Sequence, residues 1–514
     1  MVREEIKKIL NQALKKLNWP QVPFTVERPS QSSYGDYATN LALLLKKDPQ
    51  EMVALIKSPL FQKIEIKNNF INFFLSESYL QQQVSKILKE KEKFGQLKIG
   101  RGQKINLEFI SANPTGPLTV GNGRGGPFGD VLARVLRQAG VLVKTAYYVN
   151  DYGQQILALG HSVLKDKEAV YQGVYIDELS QKIKGKDAAA VGSKAAKYIL
   201  EKMIKKTIQK MGFHFDEWVY ESKLHQTGLV DKVIQLLKKK NLIYEKDGAW
   251  WFKSTAFDDQ RDRVLIKQNG QKTYLAGDLA YHWYKFKIKK YQQAINIWGA
   301  DHSGDVAGLQ AGLTALGLKN KLTIILLQFV TLFQKEQKLK MSKRAGIYVT
   351  LDELLNEIPA DVIKFFFLQK SADTHLNFDL DLAREQSEKN PVYYIQYAYA
   401  RICSIIEKSK IKNQKSKLSS ANYQLLRQPS ELALIKQLIR LPEIVEDVAK
   451  DYQVQRLPQY ALDLATVFHQ FYRDCYVLTD DQALSQARLA LVLATQIVLK
   501  KTLDLLNIHA PEKM

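Results

Sequence analysis

Residues 118–130 read LTVGNGRGGPFGD, five glycines and one arginine in a single short run. Glycine lets a nucleoside or a phosphate come close to the backbone, and the free amides at a helix N-terminus draw anions. Gly121, Gly123 and Gly126 also satisfy the dinucleotide spacing G-x-G-x-x-G, which is weak evidence when it stands alone. In that fingerprint the strand runs straight into the glycines. Here SANPTGPL intervenes, with Pro114 and Pro117 keeping it from being helical, so a nicotinamide enzyme is the poorer reading. A second cluster, KLKMSKRAG at 338–346, sets four cationic side chains between Lys338 and Arg344 in a loop after the apolar TIILLQFVTL. Alone it reads as a solvated basic hairpin. Cys403 and Cys475 lie far apart without histidines at ligand spacing, so neither a metal site nor a disulfide framework is expected.

The elements that must position these residues can be read from periodicity. INLEFI is strand-like, and GDVLARVLRQAG is a helix with Val131, Leu132, Val135 and Leu136 on one face and Gly140 as its stop. VLVKTAYYV is the next strand. The glycines therefore fall where a helix begins at the carboxyl edge of a parallel sheet, where open α/β folds bind ligands. KINLEFI, VLVKTAYYV, AINIWG and TIILLQFV alternate with helices, which predicts β-α-β units. The expected fold class is α/β, with a Rossmann-type parallel-sheet domain at 98–385 carrying a Lys-rich, mostly helical insertion at about 155–250. A small α+β module at 1–97 precedes it, read from an opening helix, the turn-rich ERPSQSSYGDYATN and the alternating strand pattern IEIKNNFINFFLS. An all-α bundle at 386–514 follows, read from Leu432, Ile435 and Leu438 and from Leu464, Phe468 and Phe471.

A chain of 514 residues, 46% hydrophobic and 25% charged, has the composition of a globular protein with more than one core. Its longest apolar stretch, LALVLATQIVL, is shorter than the roughly 18 residues a bilayer requires. MVREEIKKIL has the features of neither an export nor a transit peptide, so a cytoplasmic location is expected. The 75 Lys and Arg against 53 Asp and Glu leave a net charge of +22, which points to a polyanionic partner, nucleic acid ahead of anionic membrane.

Following a PTGPL loop in a β-α-β protein, KMSK resembles the second of the two signature motifs of class I aminoacyl-tRNA synthetases, and TVGN at 119–122 resembles the first. The resemblance runs along nearly the whole chain and is to the arginyl-tRNA synthetases. GDYATNLAL and FINFFLS resemble their N-terminal domain. EFISANPTGPL, YYVNDYGQQI, TYLAGDLAYH and WGADHSGD resemble their catalytic domain, and NPVYYIQYAYARICSI, FHQFYRDCYVL and LNIHAPEKM their anticodon-binding helices. This implies an arginine–tRNA ligase using ATP with Mg²⁺ and no zinc, acting on L-arginine and the 3′ end of tRNA(Arg), commonly as a monomer.

The resemblance also implies roles for residues. Lys340 and Lys343 would hold the departing pyrophosphate, Lys343 being the more important, with Met341 and Ser342 completing that loop. Thr119, Gly121, Asn122 and Gly123 would lie against the adenosine and phosphates. Glu108 and Asp278 match acidic positions of the arginine pocket, as a guanidinium requires. Tyr274 would shape that pocket, Ser111 and Asn113 would hold the amino-acid end, and His302 is a further contact. Phe70 and Asn72 would meet the tRNA D-loop, and Tyr393, Tyr397 and Arg401 the anticodon side. The family's first motif carries histidines where this chain has Thr119 and Asn122. An amide and a hydroxyl can also donate to phosphate, so Asn122 is expected to be the principal catalytic replacement, with Arg124 making structural or tRNA contacts. The rival reading is a catalytically impaired, synthetase-like RNA-binding protein, against which KMSK and the pocket acids argue.

Overall fold

The computed structural model describes residues 1–335, 337–339, 349–409 and 421–514. Helix Val2–Lys16 buries Val2, Ile6, Leu10, Ala13 and Leu14, one stripe at helical spacing. It packs with a three-stranded antiparallel sheet of β1 (Tyr37–Thr39), β2 (Phe61–Lys67) and β3 (Phe70–Leu75), in the order β1-β3-β2. The alternating run IEIKNNFINFFLS is thus a hairpin rather than one strand. It turns at Asn68 and Asn69, both at positive φ (+52° and +60°), which asparagine tolerates best among residues with a side chain.

The central layer is a five-stranded parallel sheet. β4 (Lys104–Glu108), β5 (Leu142–Val149) and β6 (Glu217–Tyr220) run outward in one direction. An antiparallel excursion of β7 (Ile243–Lys246), β8 (Ala249–Phe252) and β9 (Arg263–Ile266) follows. The chain then returns to the other side of β4 with β10 (Gln293–Gly299) and β11 (Leu322–Leu327), giving the order β11-β10-β4-β5-β6. The direction reverses between β4 and β10, so the ligand-binding crevice is expected beyond their carboxyl ends. The stretch at about 155–250 is helical through Lys210, but then supplies β6 to the main sheet and β7 and β8 to the excursion. Beyond β11, β12 (Val330–Gln334) pairs with β13 (Gln337–Lys338) and, in parallel, with β14 (Leu376–Asp379).

The C-terminal region packs helices Pro391–Lys408, Pro429–Leu438, Leu441–Asp451, Arg456–Asp474 and Gln482–Leu506. The last of these is buried on nearly all sides, which is why its apolar residues show no single stripe. The buried Arg488–Glu431 pair (2.7 Å) ties it to helix Pro429–Leu438. The N-terminal module docks on this bundle: Tyr37 Oη donates to Glu443, Arg3 pairs with Asp447, and Gln81 Nε2 donates to the carbonyl of Leu426 (3.0 Å).

Candidate active site

β4 ends at Glu108, and the chain then turns through Ile110 (φ +65°) and Ser111 (φ +39°), both in the left-handed region. For a β-branched residue this conformation costs about 1–3 kcal/mol and persists only where surrounding structure imposes it. The Ser111 hydroxyl does so by donating to Glu108 Oε1 (3.1 Å) and accepting from the Tyr148 amide on β5 (3.0 Å). Beneath the turn Lys285, 1% exposed, donates to Glu108 Oε2 (2.6 Å) and Asn296 Oδ1 (2.8 Å). His282 is buried beside them, accepting from Asn296 Nδ2 (3.0 Å) and donating through Nδ1 to the Asp278 carbonyl (2.7 Å). Burial, then the neighbouring Lys285 charge, pushes its pKa well below the ordinary histidine value, so the ring is neutral.

Next to this network lies a cavity of about 780 Å³ whose lining includes Tyr152, Glu221, His225, Tyr274 and Asp278. Asp278 sits one turn into helix Tyr274–Trp283. Burial first, then the charges of Glu221 and Glu108, hold its carboxyl well above the usual carboxylate range. Glu221 begins a helix at the carboxyl end of β6. It is buried, its Oε2 has no partner, and its Oε1 faces His225 Nε2 at 3.7 Å. The Tyr148 hydroxyl is buried and also unpartnered. A buried carboxylate oxygen without a partner, as on Glu221, is costly, and a bidentate cation between it and the half-buried Asp278 is the species that would satisfy both.

Of the six residues assigned to arginine, Tyr274 and Asp278 line the cavity, Tyr274 at its mouth and 60% exposed. Glu108 stands one layer behind the cavity wall, with its two oxygens engaged by Lys285 and Ser111. Asn113 is exposed on the following loop. His302 is solvent-facing between Asp301 and Asp305 and does not line the cavity. Glu221 and Tyr148 were missed. The signal for Glu221 was present, an acid directly after the strand-like EWVY at the ligand-binding edge of the sheet.

On the other side of the β4 turn, Thr119 caps the short helix Val120–Gly123 in a reciprocal box. Its hydroxyl donates to Asn122 Oδ1 (2.8 Å) and accepts from the Asn122 amide (3.4 Å). The Thr119 proton is used in that cap, while the Asn122 Nδ2 group remains a donor. Gly123 is buried, and a Cβ there would meet Leu351 at 3.1 Å, so its lack of a side chain serves packing. Gly121 is exposed and open. Gly126 and Gly129 let helix Gly125–Gln138 press against Phe213 and Phe109, where Cβ atoms would come within 2.3 and 2.2 Å. Arg124 is 1% exposed and donates to the carbonyls of Gln328, Thr374 and Ser371, a structural clamp. Lys340, Met341, Ser342 and Lys343 lie outside the described residues. Their described flank returns to the first motif: Val120 N–H donates to Val349 O (3.2 Å), Leu351 N–H to Leu118 O (2.8 Å), and Thr119 bridges Thr350.

Farther off, Phe70 is 40% exposed at the tip of the N-terminal hairpin. Asn72 is 3% exposed on central strand β3, between β1 and β2, which corrects its reading as a base contact. In the C-terminal bundle Arg401 lies over the rings of Tyr397 (4.5 Å) and Tyr472 (4.8 Å) and donates to Tyr397 Oη (2.6 Å). Tyr393 is half-buried beside them. Tyr472 and the 85% exposed Tyr476 extend this surface beyond the residues read from sequence. Among the described residues no group of His, Cys, Asp or Glu is arranged to hold a metal, and no helix is long and apolar enough to cross a membrane.

A model of the class I (R) tRNA synthetase catalytic domain matches residues 83–189 and 178–364. The arginyl-tRNA synthetase N-terminal domain matches 4–75, and the DALR anticodon-binding domain 395–514. The chain belongs to the arginyl-tRNA synthetase family. It is 41% identical to the arginine–tRNA ligase of Moorella thermoacetica over 97% of this chain and 95% of that one. It is 38% identical to that of Caldanaerobacter subterraneus over 100% and 99%. The arginyl-tRNA synthetase of Thermus thermophilus shares the fold, with a TM-score of 0.80 at 23% identity and full coverage of both chains.

Proposed function

We propose that the chain is an arginine–tRNA ligase, activating L-arginine with ATP and passing the arginyl group to the 3′ end of tRNA(Arg). The observation that carries the reading is a pair of acids, the half-buried Asp278 and the buried Glu221, facing one cavity beside the strained SANPTGPL turn. In this reading they clamp the guanidinium, with Tyr274 and Tyr148 bounding its plane. Glu108, held by Lys285, together with Ser111 and Asn113 orients the α-ammonium end. The substrate carboxylate then attacks the ATP α-phosphorus in line, a reaction that needs positioning and charge neutralisation rather than an enzyme nucleophile. Gly121, Asn122, Lys340, Met341, Ser342 and Lys343 are assigned to ATP, and Asn122, Lys340 and Lys343 to catalysis. His302 is kept only as a contact made once substrate is bound. Phe70, Tyr393, Tyr397 and Arg401 are assigned to tRNA. Mg²⁺ arrives with ATP, and the working form is a cytoplasmic monomer with domains at 1–97, 98–385 and 386–514.

The test is the identity of the amino acid esterified to total tRNA, with arginine-dependent ATP–pyrophosphate exchange measured in the presence of tRNA. Arginine is expected, and lysine or cysteine would overturn the assignment. Within it, Asn122→Ala should slow adenylation by about a hundredfold, the usual cost of losing one transition-state donor. An unchanged rate would remove Asn122 from the catalytic set.

A further inference from the structure

Buried polar atoms without partners gather at two places among the described residues. Glu221 Oε2 lines the first cavity, and Tyr148 Oη, Asn150 Oδ1 and Tyr281 Oη belong to the elements around it. Arg3 Nε, Arg28 Nε, Gln437 Nε2 and Gln455 Oε1 belong to the seam where the N-terminal module meets the C-terminal bundle. That seam contains a cavity of about 550 Å³ with Arg3, Arg28, Arg440, Gln455 and Asp463 in its wall. In a folded protein such unmet groups are rare and call for a ligand, water or ion.

The wall's four arginines are matched in number by four acids, Glu27, Glu443, Asp447 and Asp463, but not in one-to-one pairs. The Arg3 guanidinium pairs with Asp447 and lies 3.5 Å from Glu446, and Arg456 is paired with Asp451 at 2.6 Å. Arg28 has no described carboxylate. It donates to the Lys436 carbonyl at 3.2 Å and lies over the Tyr37 ring at 5.3 Å. Arg440 donates to Gln437 Oε1 at 2.8 Å, and Asp463 Oδ2 stands 3.8 Å from it, beyond hydrogen-bond distance. The two guanidinium groups repel one another. Burial foremost, then the Arg28 charge, lowers the pKa of Arg440. Helices Leu441–Asp451 and Arg456–Asp474 also start at this cavity, with Glu443, Arg456 and Gln459 of their first turns in its wall, adding the positive ends of two helix dipoles.

We propose that this cavity binds an oxyanion of the phosphate class, gripped jointly by Arg28 and Arg440, which clamps the N-terminal module to the anticodon-side bundle. Guanidinium groups recognise phosphate bidentately, and a shared anion removes the repulsion between them. The phosphate is either a free ion or one group of the tRNA backbone, and the measurement separates the two.

Equilibrium dialysis with radiolabelled inorganic phosphate should show a site in the unaltered protein that Arg28→Gln or Arg440→Gln weakens at least about tenfold, the worth of a charge-assisted hydrogen bond. In phosphate-free buffer thermal melting and the KM for arginine should stay near wild type, showing that the variants fold, while added phosphate should raise the melting temperature of the unaltered protein alone. A crystal of the unaltered protein grown in phosphate should place the anion between the two guanidinium groups, a readout independent of any variant. If phosphate alone does not bind but both variants lose about tenfold in tRNA affinity, the source is the tRNA backbone and the site stands. Water alone in that crystal cavity, together with unchanged phosphate and tRNA binding in both variants, would overturn the proposal.

Discussion

Asp278 and Lys285 show at the scale of single residues how the proposed arginine pocket is built at a cost to stability. The Asp278 carboxyl is raised above its ordinary value in the folded protein by burial and by Glu221 and Glu108. The folded state therefore holds that proton to higher pH than the unfolded chain does. The stability this group contributes is present at low pH and is lost as pH rises through the folded-state value. Arginine needs the ionised form, so its KM should fall as pH rises through the same range. Asp278→Asn should flatten both profiles, raise the melting temperature of the ligand-free protein near neutral pH, and lower kcat/KM for arginine by about a hundredfold or more. Melting curves and kinetics across pH check each part. Lys285→Met acts in the opposite sense, leaving the Glu108 carboxylate buried and unpaired. It should cost about 3–5 kcal/mol in denaturant unfolding, and adding Glu108→Gln should recover most of the loss.

At the scale of elements, the run of glycines divides its labour by position. Gly121 is open to the cleft, Gly123 packs under Leu351, and Gly126 and Gly129 set how closely helix Gly125–Gln138 approaches the aromatic layer below. A methyl group at 129 would meet the Phe109 ring, one residue from the strained Ile110–Ser111 turn. Gly129→Ala should therefore cost about 1–3 kcal/mol of stability, as over-packing does. It should also slow adenylation, because the turn that carries Ser111 must shift with Phe109. Unfolding in denaturant and single-turnover adenylation measure the two effects. The sequence pattern placed the strand, loop and helix around this run correctly. It could not divide the glycines, because which of them face a phenyl ring depends on Phe109, Phe213 and Leu351, which reach the helix from other parts of the chain.

At the scale of the whole molecule, the +22 charge and the aromatic surface of the bundle belong to one task. Arg401→Ala removes the cation stacked on Tyr397 and Tyr472. It should raise the KM for tRNA by about tenfold, in line with the worth of a stacking contact to an unpaired base, while leaving arginine kinetics at saturating tRNA unchanged. Titrations of tRNA binding against salt should show affinity falling steeply with ionic strength, as counterion release requires. Local pattern alone settled the β-α-β order and the helical C-terminal third, because hydrophobic periodicity and glycine placement are properties of neighbours in the chain. Only tertiary structure decided that Glu108 is spent on Lys285, that Glu221 joins Asp278, and that Thr119 and Thr350 meet. Those pairings close across the sheet between segments far apart in sequence, and the burial that sets their charges exists only once the chain has folded.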